Sequence, residues 1–178
     1  MLVPVRSRFK RFRRDDRANS TVEFVLIFPL FILIFSSGFE AGLLSVRQTM
    51  LERATSMAVR DVQLATSNPP SFDMLKANIC DYAGIIPDCT AALNLELVRV
   101  NMQTFDLPDS RVGCIDRDEE IEPATVFTPG QSNELMLVRA CAVFEPSFPT
   151  TGLGLRLPKV NATDYALVAA SFYVAEPG

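Results

Sequence analysis

Residues 24–35 are eleven Phe, Val, Leu and Ile side chains interrupted by one proline, Pro29, and they follow almost directly on a strongly basic head. The first 18 residues carry Arg6, Arg8, Lys10, Arg11, Arg13, Arg14 and Arg17 against only Asp15 and Asp16, a net charge of +5, whereas everything beyond residue 18 sums to −9. The formal −4 of the whole chain is therefore a difference between two unlike segments. The apolar run continues through Ser36, Ser37, Gly38 and Phe39, breaks at Glu40 and resumes to Leu44. A helix over 22–44 is ~34 Å long at 1.5 Å per residue, enough to cross a hydrocarbon core of ~30 Å. The Lys/Arg bias puts the head in the cytoplasm and the bulk of the chain on the other side, as a single-pass inner-membrane protein.

A cleavable secretory signal is the competing reading, since Ser36-Ser37-Gly38 offers a small-x-small site after the apolar core. Against it stand the long basic head, Glu23 at the start of the apolar run, and a helical pattern that does not stop at Gly38. Residues 40–65 continue as an amphipathic helix. At 100° per residue, Leu43, Leu44, Val46, Met50, Leu51, Ala54, Met57, Ala58, Val62 and Leu64 fall on one face. Gln48, Thr49, Glu52, Arg53, Thr55, Ser56, Arg60 and Gln63 fall on the other, and Asn68-Pro69-Pro70 ends the element. Glu40, Arg47 and Asp61 break the apolar face. They either snorkel at its edge, or Glu40 and Arg47, two turns apart, meet opposite charges on another helix.

Beyond the helix the pattern changes period. Residues 71–82 read as a short helix with Ser71 as N-cap and Phe72, Leu75 and Ile79 on one face. Residues 93–102, 134–145 and 164–175 alternate as strands, separated by Pro/Gly/Asp-rich stretches. An antiparallel sheet laid on the outer half of the long helix would cover the stripe at 43–65. The expected layout is thus α+β: a basic leader at 1–18, a transmembrane helix at 19–44, its amphipathic continuation at 45–68, and an extracytoplasmic domain at 69–178. Cys80, Cys89, Cys114 and Cys141 all fall on the oxidising side of that topology, where an even count reads as two disulfides with three possible pairings. Cys80–Cys89, closing a short loop, and Cys114–Cys141, pinning the long loop to the second strand, are the favoured pairs.

Catalytic machinery is hard to build from this composition. The chain has no histidine, which excludes Ser-His-Asp and Cys-His nucleophile systems, His-ligated zinc and imidazole acid/base catalysis. Asp116, Asp118, Glu120 and Glu122 alternate along one loop. That stretch lacks the turn glycine and the bidentate glutamate of a calcium loop, and it reads as a solvated acidic segment. Gly152-Leu153-Gly154 is a loop fragment without the strand–helix context of a phosphate cradle. No catalytic residue, metal site or cofactor is read from the chain, and its acidity beyond the head argues against nucleic acid as a partner.

Arg17-Ala18-Asn19-Ser20-Thr21-Val22-Glu23-Phe24, then Phe28-Pro29-Leu30 and Gly38-Phe39-Glu40-Ala41-Gly42, followed by Met50-Leu51-Glu52-Arg53-Ala54 and Val59-Arg60-Asp61, resembles the TadE-like family, the pilin-like proteins of the Tad (tight adherence, Flp-type) pilus machinery. The resemblance covers roughly 15–66. It implies a type IV pilin-like fold and a minor pilin or pseudopilin in the inner membrane. It also implies cleavage by a prepilin peptidase five residues before the glutamate, between Ala18 and Asn19, and other pilin-like subunits as partners, a second minor pilin or the major pilin among them. The family usually has Gly where this chain has Ala18, and major pilins often carry Tyr where it has Phe24. Within that reading Glu23 pairs with the new amine at Asn19, on its own chain or a neighbour's. Otherwise it sits at the water interface and favours the helix N-terminus. Pro29 would loosen the helix after its first turns. The alternatives are an unprocessed, membrane-anchored periplasmic accessory protein and a secreted hydrolase behind a signal peptide.

Overall fold

The computed structural model describes residues 19–65, 70–108, 113–118, 126–150 and 152–176. The basic leader, Ala18, Asn68, Pro69, Glu120 and Glu122 lie outside the described residues. One helix dominates: α1, Asn19–Leu64, runs 46 residues through Pro29 without interruption, a length of ~69 Å. α2, Phe72–Ala83, starts where Ser71 accepts a hydrogen bond from the Met74 amide and stops at Gly84, whose φ of 60° supplies the left-handed C-cap. The four-residue α3, Cys89–Ala92, leads directly into β1, Leu93–Val100. β2, Leu135–Phe144, and β3, Tyr165–Val174, complete the fold.

The three strands form an antiparallel meander in the order β1-β2-β3. The observed strands are one or two residues shorter at their ends than the alternation predicts, although the β2–β3 hydrogen bonding runs one step further, the Ala175 amide donating to the Glu134 carbonyl at 3.0 Å. Register places Leu95, Ala140 and Ala169 side by side, and likewise Leu97, Val138 and Ser171. These odd positions of β1 and β3 and even positions of β2 face the helices. Leu51, Ala54, Ala58 and Val62 of α1 and Leu75 and Ile79 of α2 complete the core with them. β2 is buried along almost its whole length, on both faces. On the far face Glu96 and Arg139 stand directly opposite each other as an ion pair, and Arg117 donates to the Val143 carbonyl. Cys114 is bonded to Cys141 over that face, while Cys80–Cys89 ties α2 to α3.

The face of α1 that packs is narrower than the pattern predicts. Val46, Met57 and Leu64, expected in the stripe, are 49%, 39% and 71% exposed, while Thr55, expected on the polar face, is buried beside Val59. The buried set 51, 54, 55, 58, 59 and 62 follows i, i+3, i+4 spacing around one line. Val46, Met57 and Leu64 lie about 220–240° away from Leu51 at 100° per residue and form a second stripe on the opposite side. Thr55 enters the core cheaply, because its hydroxyl donates to the Leu51 carbonyl one turn back at 2.8 Å.

Candidate functional site

The first turns of α1 are bare. Every described side chain from Ser20 to Phe35 is exposed, including Phe24, Leu26, Phe31 and Ile34 at 58–71%. Such an apolar surface has no counterpart in a water-soluble helix. Phe24 stacks on Phe28 and Phe31 on Phe35, one turn apart each time. α1 is long and apolar enough to cross a membrane, with a mean hydropathy of 2.2 over its most apolar 18-residue window. Ser36 and Ser37 return their hydroxyl protons to the carbonyls of Ile32 and Leu33 at 2.7 and 2.9 Å, which makes them tolerable in such a segment. Pro29 has no amide proton to give the Val25 carbonyl, and α1 nonetheless continues past it.

Glu23 is exposed and shares a shallow groove along α1 with Ser20, Phe24, Ile27, Phe28 and Phe31. The first turn of α1 contains no acidic residue. Glu23 stands just beyond that turn, where the pull of the helix dipole is already fading.

Glu40 and Arg47 are both engaged by the outer domain of their own chain. Glu40 is only 1% exposed, and one carboxylate oxygen accepts from the Phe148 amide at 3.1 Å. Its other oxygen has no hydrogen-bond partner. Arg47 donates to the Tyr165 hydroxyl at 2.6 Å and reaches the Glu145 carbonyl at 3.4 Å, with its guanidinium 4.9 Å above the Phe144 ring. Both charges are therefore taken up by the protein's own β2–β3 end rather than by a snorkelling path to water. Burial pushes the Tyr165 hydroxyl above its ordinary value of 10.0; the Arg47 hydrogen bond pulls it back and the Glu40 charge adds to the push. Asp61, the third charge on the stripe, accepts from the Tyr82 hydroxyl of α2. The alternation of strands and helices could not disclose these contacts, because those of Glu40 and Arg47 join residues about 100 positions apart and that of Asp61 joins two different helices. The only sequence signal was a charge interrupting an apolar face.

The loop between β2 and β3 clasps α1. Phe148 meets Phe39 edge to face at 6.0 Å. Gly152, at φ +33°, lies so close to Ser37 that a Cβ there would come within 2.2 Å of its hydroxyl oxygen. Leu33 is the next nearest side chain. The cover over α1 thus begins well before Leu44.

Of the alternating acids, Asp116 accepts from Asn161 and from the Asp118 amide. No group of three His, Cys, Asp or Glu among the described residues is placed to hold a metal ion.

Comparison with known proteins agrees with this N-terminal architecture. Residues 19–60 match the family model described as TadE-like protein. No curated protein and no solved structure matches the chain. The family is a pilus-assembly component and not a known enzyme family. Residues 19–60, a stretch that holds both the bare apolar run and the Glu40–Arg47 junction, are thus similar to the TadE-like family, which is associated with the Tad pilus.

Proposed function

We propose that the protein is a minor pilin or pseudopilin of a Tad-type system, working by helix packing and not by catalysis. The observation that carries this reading is the TadE-like match over the very segment whose apolar surface is left bare. A second stripe supports it. Val46, Met57 and Leu64 point away from the sheet and extend the apolar surface beyond the bare turns, which suits α1 to packing against helices of other pilin-like subunits. In this reading the leader is removed by a prepilin peptidase between Ala18 and Asn19, with the outer domain in the periplasm. Glu23, exposed in the apolar groove, is the charge that pairs with a free amine at Asn19 of its own or a neighbouring chain. Glu40 and Arg47 serve assembly from within the subunit, by holding the outer domain at one orientation on α1. Pro29 marks the point where the helix has lost one backbone hydrogen bond and loosens most readily when it leaves the bilayer.

N-terminal sequencing of the protein purified from cells tests the processing step. The expected first residue is Asn19. A chain beginning at Met1 would make it an unprocessed anchor, and one beginning after Gly38 a secreted protein. Glu23→Ala should abolish co-purification with other pilin-like subunits while leaving membrane insertion intact; unchanged association would remove the pairing role.

A further inference from the structure

The bare part of α1 is too short for the bilayer it has to cross. From Ser20 to Leu33, where the β2–β3 loop first reaches the helix through Gly152, the rise is about 20 Å, against a hydrocarbon core of about 30 Å. A span starting at Ser20 and filling that core ends near Glu40. The segment 33–40 therefore lies in the outer part of the bilayer, with the loop alongside it. Glu40 makes the same point chemically. A carboxylate at this depth is costly in contact with lipid, and it is the loop that removes it from contact, through the Phe148 amide and near-complete burial.

The composition of the loop matches that depth. From residue 146 to residue 163 there is no acidic side chain and there are two basic ones, Arg156 and Lys159, in a chain that carries −9 beyond its head. Leu155 is 62% exposed, with Leu153 and Leu157 half-buried on either side, and Arg156 and Lys159 are exposed beside it. Apolar side chains interleaved with cations, on a short segment level with a membrane exit, are the composition of an interfacial contact.

We propose that the β2–β3 loop is a second membrane contact: Leu153 and Leu155 enter the acyl boundary beside α1, Arg156 and Lys159 lie at anionic headgroups, and Glu40 latches the loop at that level. The proposal rests on α1 being a membrane span and adds a lipid-facing surface to the outer domain. The occupant is the bilayer itself and not a second protein.

The chain has no tryptophan, so single Trp variants of the full-length protein in phosphatidylglycerol-containing vesicles report one site each. Leu155→Trp should emit to the blue of Met102→Trp, which lies at the far end of the sheet, and should be quenched by lipids brominated on their tails. Phe28→Trp, in the bare span, should be quenched by the same lipids, and Met102→Trp only by aqueous iodide. Adding Glu40→Ala to Leu155→Trp should move the indole from lipid quenching to iodide quenching. Adding Arg156→Glu and Lys159→Glu should remove the dependence on anionic lipid. Iodide quenching alone at Leu155→Trp overturns the proposal, and so does protection from both quenchers, which would mean a protein partner. Loss of lipid quenching at Phe28→Trp would show that the span reading itself has failed.

Discussion

Single residues decide which side of α1 is structural. Leu51 is fully buried and Met57 is not, although both belong to the ten-residue apolar face read from the sequence. Leu51→Ala should cost about 2–5 kcal/mol, and Met57→Ala within about 0.5 kcal/mol, as measured by denaturant midpoints of the detergent-solubilised chain. Equal losses would mean that the exposed stripe is also part of the fold. The three tyrosines give a second residue-level test. Tyr82 is raised by its hydrogen bond to Asp61, Tyr165 and Tyr173 chiefly by burial. Because each folded pKa lies above the unfolded one, the folded chain holds the phenol proton more tightly. That contribution to stability is complete below about pH 10 and is lost as pH rises through the folded values. Native tyrosinate absorbance should therefore develop above the ordinary phenol range and return to it in denaturant. Arg47→Ala should push Tyr165 higher still. A native titration centred on the ordinary value would show that the Tyr165 site is open to water.

Elements were legible where local rules govern them. The N-cap of α2 at Ser71 needs only the residues beside it, and the strands need only alternation. The long helix needs an unbroken apolar pattern followed by two prolines. What the pattern over-reached was the width of the buried arc. A 100° wheel accepts Val46, Met57 and Leu64 as apolar but cannot say that the sheet covers one line of the helix and leaves another exposed. Glu40 and Arg47 were visible as anomalies, but the loop that receives them is distant in sequence and has no period of its own. The disulfides sit at this scale too. Cys114–Cys141 spans 27 residues and Cys80–Cys89 spans 9. The chain-entropy account assigns them about 3.6 and about 2.6 kcal/mol. Cys114→Ala with Cys141→Ala should lower the denaturation midpoint more than Cys80→Ala with Cys89→Ala. The reverse order would mean that the α2–α3 staple, not the pin over the sheet, limits unfolding.

At the scale of the whole molecule, the prediction concerns which side of the membrane the sheet occupies. If the outer domain is periplasmic, both disulfides form there and not in the cytosol. Alkylating the protein in freshly lysed, acid-quenched cells should then modify none of the four cysteines unless reductant is added first. Four modified thiols without reductant would put the domain on the cytoplasmic side and reverse the topology.

The helix is gripped by the rest of the chain at two well-separated levels: at Glu40 and Arg47 by the β2–β3 end, and at Asp61 and Gln63 by Tyr82 and Glu176. A rod clamped at two heights cannot spin in its bearing. A turn of the helix at the level of Glu40 therefore carries the sheet with it, and in the proposed assembly a subunit that meshes with this helix would also set the compass heading of the outer domain.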